Sequence, residues 1–264
     1  MYEYFCAVVV GIVEGLTEYI PVSSTGHMIL IGHMLGFTGP VADVFDIFIQ
    51  FGAILSVLVV YQSKFLRMLD PARWFARRGV SCLNLAAAMF PACLMGLLFH
   101  GVIKNYLFGP ATVIIGLVLG GLFMMGAEKC RKQFVITDVD DITLKQAVQI
   151  GLFQCLSLWP GFSRSGSTIA GSLFLGISRK ASADFSFIMA APLMLLACTY
   201  DLYKSWDQLS LGDFGILAVG FVTAFIVAYL SILWFLKFLN HATLSGFAYY
   251  RFAVAAFSAL YFWM

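Results

Sequence analysis

Two apolar segments of this chain are interrupted in the same way, and the fold has to be built around them. The stretch GIVEGLTEYIPVSSTGHMILIGHMLG from Gly11 resembles GLFQCLSLWPGFSRSGSTIAGSLFLG from Gly151. Gly11, Pro21, Ser24, Gly32 and Gly36 find counterparts in Gly151, Pro160, Ser163, Gly171 and Gly176, at a spacing of 139 or 140 residues. After the first segment come apolar runs at 47–61, 83–100 and 110–127, and after the second come runs at 185–203, 213–236 and 244–264. Runs of this kind suit helices that cross hydrocarbon, which takes about 20 residues. The segments broken by Glu14, Glu18 and Pro21, or by Pro160 and its serines, do not. An odd number of crossings between the copies turns the second upside down relative to the first. The expected fold is an all-α integral membrane protein with six transmembrane helices plus two re-entrant helix–turn–helix hairpins, an inverted-topology repeat. It forms a single membrane domain over 1–264, with repeat 1 at about 1–128 and repeat 2 at about 145–264.

Composition agrees. With 61% hydrophobic and 11% charged residues, against about 25% charged in an ordinary soluble domain, too little polar surface is left to cover a water-soluble globule. Sixteen Lys and Arg balance 14 Asp and Glu with no basic stripe, which excludes nucleic acid as a partner. Cys6, Cys82, Cys93, Cys130, Cys155 and Cys198 are scattered singly and read as small apolar filler. The first lysine is Lys64, so no positive n-region precedes the first apolar stretch and a cleaved signal peptide is not expected.

If each broken segment dips in and returns on its own side, one face receives Lys64, Arg67, Arg73, Arg77, Arg78, Lys129, Arg131, Lys132, Lys145, Arg179, Lys180 and Lys237. By the positive-inside rule that face is cytoplasmic. Lys104 and Lys204 fall outside, the latter in a solvated loop with Asp201, Asp207 and Asp213. The first hairpin then enters from outside and the second from the cytoplasm. Irregular backbone at membrane depth must be buried or line a wet cavity, so the two tips are expected to meet near the midplane.

The chemistry-bearing residues sit at those tips. Glu14 and Glu18, spaced i, i+4, share a helix face in an apolar segment, where they must share a proton, bridge a cation or face a positive partner. PVSSTGH, with Ser23, Ser24, Thr25 and His27, turns into a second half-helix. His27 suits proton transfer or attack on phosphorus, whereas His33, His100 and His241 lack comparable neighbours and read as packing or interfacial residues. In the opposing turn, WPGFSRSGST, the glycines permit close backbone approach. Ser163, Ser165, Ser167 and Thr168 offer hydroxyls, and Arg164 supplies a charged fork for phosphate oxygens. The order of a Walker A loop is absent, so nucleotide binding is not supported. Arg251 in the last span is left open between snorkelling, pairing and contact with a lipid headgroup. The small-residue face at 116–121 suits packing within one chain or between chains, so a homo-oligomer stays open. These features fit an enzyme acting on a phosphorylated lipid, or a transporter or flippase of such a lipid or anion, since both use inverted repeats with intramembrane charges.

EGLTEYIPVSSTGH and PGFSRSGST, with ADFSF near Asp184 and DLYKSW near Asp201, resemble the signature regions of the undecaprenyl-diphosphate phosphatase family, the bacitracin-resistance type, over nearly the whole chain. That resemblance implies a multi-pass protein of the bacterial inner membrane, acting toward the periplasm. It would remove one phosphate from a long-chain prenyl diphosphate and so recycle the lipid carrier of cell-wall synthesis. By position it implies Glu14 and Glu18 as the acidic pair, Ser24 and His27 in the turn, and Ser163, Arg164 and Thr168 in the phosphate loop. It also implies a divalent cation, Mg²⁺ or else Ca²⁺. The resulting expectation assigns catalysis to Glu18, Ser24, His27 and Arg164, and substrate binding to Ser23, Thr25, Ser163, Arg164, Ser165, Ser167 and Thr168. The metal falls to Glu14 and Glu18, and His27 is left as nucleophile or as acid/base. A lateral opening is expected too, because a prenyl tail cannot leave the bilayer.

Overall fold

The computed structural model describes residues 1–107, 109–131, 133–205, 213–239 and 241–263. Lys132 and Asp207 lie outside the described residues, as do the side chains of His100 and Lys104. The chain runs through α1 (Tyr2–Thr17), α2 (Ser24–Leu35), α3 (Pro40–Val60), α4 (Gln62–Met68), α5 (Cys82–Leu98) and a single turn α6 (His100–Val102). It continues through α7 (Pro110–Cys130), α8 (Leu144–Gln154), α9 (Arg164–Phe174), α10 (Arg179–Ser205), α11 (Phe214–Phe238) and α12 (Ser245–Trp263). No strand occurs among the described residues. Among the described residues four helices are long and apolar enough to cross a membrane: α3 from Val41 to Val60, α7, α10 and α11. The run expected at 83–100 forms the shorter apolar helix α5, and that at 244–264 forms α12, which carries the fully buried Arg251.

Sequence signals set the helix ends. Pro40 and Pro110 occupy first-turn positions of α3 and α7, where the missing amide costs nothing. Ser81 caps α5 by accepting from the Asn84 amide at 3.1 Å, and Thr143 and Gln146 close a capping box on α8. Each half-helix that leads into a turn packs on a helix from the other half of the chain, α1 along α11 and α8 along α5. Small residues permit this approach. A Cβ on Gly11 would lie 2.9 Å from the Gly220 carbonyl oxygen, one on Gly15 would lie 2.8 Å from that of Ala224, and one on Gly151 would overlap the Ala88 carbonyl. Between apolar helices in lipid, such close backbone contact replaces the hydrophobic drive that is missing there. Gly151→Ala sets backbone against backbone and is expected to cost about 1–3 kcal/mol. A thermal scan of the purified protein should show a lowered unfolding midpoint, and an unchanged midpoint would mean that α8 and α5 do not close-pack at this point.

At one end of the bundle the basic connections lie side by side. The Gly79 amide donates to Ile142 O at 2.8 Å, the Leu144 amide to Arg77 O at 2.9 Å, and Lys64 pairs with Asp140. Glu128 accepts from Arg179 Nε and Nη2, each at 2.6 Å, from Arg131 Nη1 at 2.6 Å and from the Leu244 amide at 2.9 Å. This one carboxylate therefore ties the ends of α7 and α10 to the approach to α12. Arg179, expected among the charges of the cytoplasmic face, is also a structural partner of that carboxylate.

Candidate active site

Both interrupted segments become a half-helix, a turn and a second half-helix, and the two turns have the same local geometry. Ser23, at φ 75°, caps α2 with its hydroxyl accepting from the Gly26 amide at 3.4 Å. Ser163, at φ 79°, caps α9 by accepting from Gly166 at 3.1 Å. They are the two non-glycine residues with positive φ among the described residues. Such conformations cost about 1–3 kcal/mol and concentrate where function holds them in place. The geometric match is thus Ser23 with Ser163, one residue away from the Ser24–Ser163 pairing in the sequence, and it sets Ser24 opposite Arg164.

The turns touch. Ser165 Oγ donates to Ile20 O at 3.2 Å, and Arg164 Nη2 donates to Glu18 Oε1 at 2.6 Å. The other Glu18 oxygen accepts a short hydrogen bond from Ser24 Oγ. Arg164 is held by the Ser186 carbonyl at 3.3 Å, by Met194 Sδ at 3.2 Å and over the Tyr19 ring at 5.9 Å, while Tyr19 is itself anchored on Ala53 O at 2.8 Å. Both members of the pair are nearly buried, at 13% and 10% side-chain exposure for Arg164 and Glu18, so solvent screens them weakly. Above the pair lies a cleft of about 90 Å³, lined from one turn by Glu18, Ser23, Ser24 and Thr25 and from the other by Ser157, Trp159, Pro160, Gly161, Ser163 and Arg164. The N-termini of α2 and α9 converge on it, and first-turn amides that lack helical partners favour an anion there.

Of the expected residues, Glu18, Ser23, Ser24, Thr25, Ser163 and Arg164 are brought together at this cleft, and the others stand back from it. Glu14 is fully buried beneath, and among the described residues neither of its oxygens has a hydrogen-bond partner. Ser167 and Thr168 do not offer their hydroxyls to the cleft. Both donate to Arg164 O at 2.9 Å, and Thr168 also meets Ser186 Oγ at 2.7 Å, because a hydroxyl in the first turn readily bonds back to a carbonyl three or four residues earlier. Ser165 spans the turns instead of lining the cleft. The His27 imidazole faces α12. Nδ1 lies 2.8 Å from Ser23 O, which can only accept, so Nδ1 carries the proton and Nε2, 2.9 Å from Tyr250 Oη, is left to accept from the phenol in the neutral ring. The rings of His27 and Tyr250 stack at 5.6 Å. Tyr250, Tyr19, Ser157, Ser186 and Trp159 were not singled out in the sequence. All but Tyr250 lie within the quoted stretches, Ser157 and Trp159 at the second turn, Tyr19 in EGLTEYIPVSSTGH and Ser186 in ADFSF.

Tyr250 also borders a larger apolar groove of about 750 Å³, between the first hairpin (Leu16, Ile20, Val22) and α11 and α12 (Leu230, Trp234, Phe247). A charged cleft closed by two helix N-termini, set among membrane-length helices and beside an apolar groove, has the chemistry to suit an anionic group carried on an apolar chain. Residues 7–257 match the family of the bacitracin resistance protein BacA, and the chain belongs to that family. It is similar to undecaprenyl-diphosphatase 1 of a Bacillus cereus strain, with 45% identity over 262 residues, 99% of each chain.

Proposed function

We propose that this protein hydrolyses undecaprenyl diphosphate to undecaprenyl phosphate and inorganic phosphate, recycling a lipid carrier for cell-wall synthesis and so conferring resistance to bacitracin. The observation that carries the reading is the Glu18 carboxylate, shared between Arg164 and Ser24 where two helix N-termini converge. The cleft holds the diphosphate through the Arg164 donors not committed to Glu18 and through the first-turn amides, with the Ser23, Thr25 and Ser163 hydroxyls around it. The groove beside Ile20 and Tyr250 takes the start of the prenyl tail, which stays in lipid.

Glu18 accepts the Ser24 proton while Ser24 Oγ forms a bond to the terminal phosphorus. The bond from that phosphorus to the bridging oxygen breaks, and its electron pair leaves with undecaprenyl phosphate. Water then cleaves the serine phosphate, releases inorganic phosphate and restores Ser24. His27 acts from behind by holding the Ser23 carbonyl and with it the left-handed turn, a positioning part in place of attack on phosphorus. The two unpaired oxygens of buried Glu14 fit a cation. Among the described residues no three acidic, His or Cys side chains group together, but Mg²⁺ binds through one or two carboxylates completed by substrate phosphate oxygens. Glu14 and Glu18 would hold it, and when bound it offsets the negative charge of the diphosphate.

The arrangement in the bilayer follows the same reading: six crossings and two re-entrant hairpins related by an inverted repeat, with the clustered basic end on the cytoplasmic side of the bacterial inner membrane. The cleft then opens toward the periplasm. The deciding experiment measures inorganic phosphate released by pure protein in detergent from a long-chain prenyl diphosphate, with and without EDTA. Release is expected, falling at least about tenfold in EDTA and returning with added Mg²⁺. Detergent abolishes sealed compartments, so a protein that only transported or flipped lipid would release none.

A further inference from the structure

Among the described residues Arg251 is the bulkiest side chain with no exposure, and no carboxylate lies within ion-pair reach of it. A bare charge in the interior of a membrane protein is expensive, and an apolar residue would fill the space without that cost. The guanidinium is spent on main-chain carbonyls. Nη2 donates to Gly161 O at 2.6 Å and Gly116 O at 3.1 Å, Nη1 to Pro21 O at 3.4 Å, and Nε to Leu117 O at 3.1 Å. Pro21 and Gly161 belong to the two different turns that wall the cleft. These turn carbonyls are buried, so their donor must come from the protein itself. One planar fork reaches both turns at once, which a lysine ammonium on a single point cannot do. The α7 face is shaped for this seat. A Cβ on Gly120 would overlap Nη2 and lie 2.9 Å from Cζ, and one on Gly116 would overlap the Pro160 carbonyl oxygen. The small-residue face at 116–121 is therefore filled within the chain, by Arg251, the second turn and, at Gly121, the Phe252 ring.

We infer that Arg251 is a positioning residue for the reaction at the Glu18–Arg164 cleft, a brace that fixes one turn against the other through their carbonyls without touching substrate; this rests on the phosphatase reading above. The ligands of the diphosphate stay in place when the brace is altered, but their alignment across the cleft drifts. A misplacement of about 1 Å costs about 10²-fold in rate.

The test is steady-state phosphate release from a C15 prenyl diphosphate by the full-length protein, comparing wild type, Arg251→Lys, Arg251→Gln and Gly120→Ala. Arg251→Lys is expected to lose about 10²-fold in kcat with KM within about threefold, since a point charge restores few of the carbonyl bonds. Gly120→Ala keeps the arginine but presses on it and on the Phe162 carbonyl of the second turn, the same junction that Arg251 braces, and should reproduce that kcat-selective loss. Combining Arg251→Lys with Gly120→Ala should lose no more than the worse single variant. Wild-type kcat in Arg251→Lys and Gly120→Ala, or a loss carried by KM alone, overturns the inference. If neither Arg251 variant is recovered folded, Gly120→Ala decides alone. An inactive wild type would instead refute the phosphatase reading, so the two failures are distinguishable.

Discussion

Arg164→Ala should reduce kcat/KM for phosphate release by about 10³-fold, with Arg164→Lys recovering only part of the loss, because a point charge lacks the fork that grips two phosphate oxygens. The same change takes away the charge partner of Glu18 in a poorly screened site, and removing one partner of a buried pair costs about 3–5 kcal/mol of stability. Stability and activity can therefore be separated. Adding Glu18→Gln to Arg164→Ala removes the orphan charge, so the unfolding midpoint should recover while phosphate release stays at the floor. Activity returning together with stability would mean that neither Arg164 nor Glu18 takes part in the reaction.

Ser24→Ala is expected to lower turnover by about 10³-fold or more and to leave the fold intact, since the Ser24 hydroxyl's bond is to Glu18 and the cap of α2 comes from Ser23. With substrate labelled on the terminal phosphate, rapid quenching of the wild type should trap label on Ser24, stable to acid as a phosphoserine is. Ser24→Ala should trap none. Acid-labile label on His27 would reverse the assignment and make the imidazole the nucleophile. A folded Ser24→Ala enzyme at wild-type rate would dismiss the serine.

How far these residues were legible beforehand follows from the range of their contacts. Two acids at i, i+4 inside an apolar run, and an arginine among serines in a matching turn, are local patterns, and the Glu18–Arg164 contact follows once two turns of this kind meet at depth. That Glu18 serves Ser24, leaving Glu14 with no hydrogen-bond partner among the described residues, was not legible, because helix spacing says which face two acids share but not what the opposite wall offers. Ser167 and Thr168 looked like ligands by residue type. Their position in the first turn of α9 makes the backbone carbonyl of Arg164 the nearer acceptor, which a stricter use of helix geometry would have indicated. Tyr250 and Arg251 join the site across 223 and 230 residues of sequence, and no periodicity encodes such pairings. Arg251 could be seen to be costly in an apolar helix, but its partners are carbonyls, which leave no mark on side-chain patterns.

The proposed reaction requires a diphosphate seated between the N-termini of α2 and α9. The structure of the full-length protein with a non-hydrolysable methylene analogue of a prenyl diphosphate, in lipid, tests this directly. Both phosphorus positions should fall in the cleft, with the terminal one within bonding reach of Ser24 Oγ, an Arg164 nitrogen on its oxygens and the tail running past Ile20 toward Tyr250. Phosphorus density at the basic end near Arg78 and Lys145, with Glu18 and Arg164 still closed on each other, would contradict it.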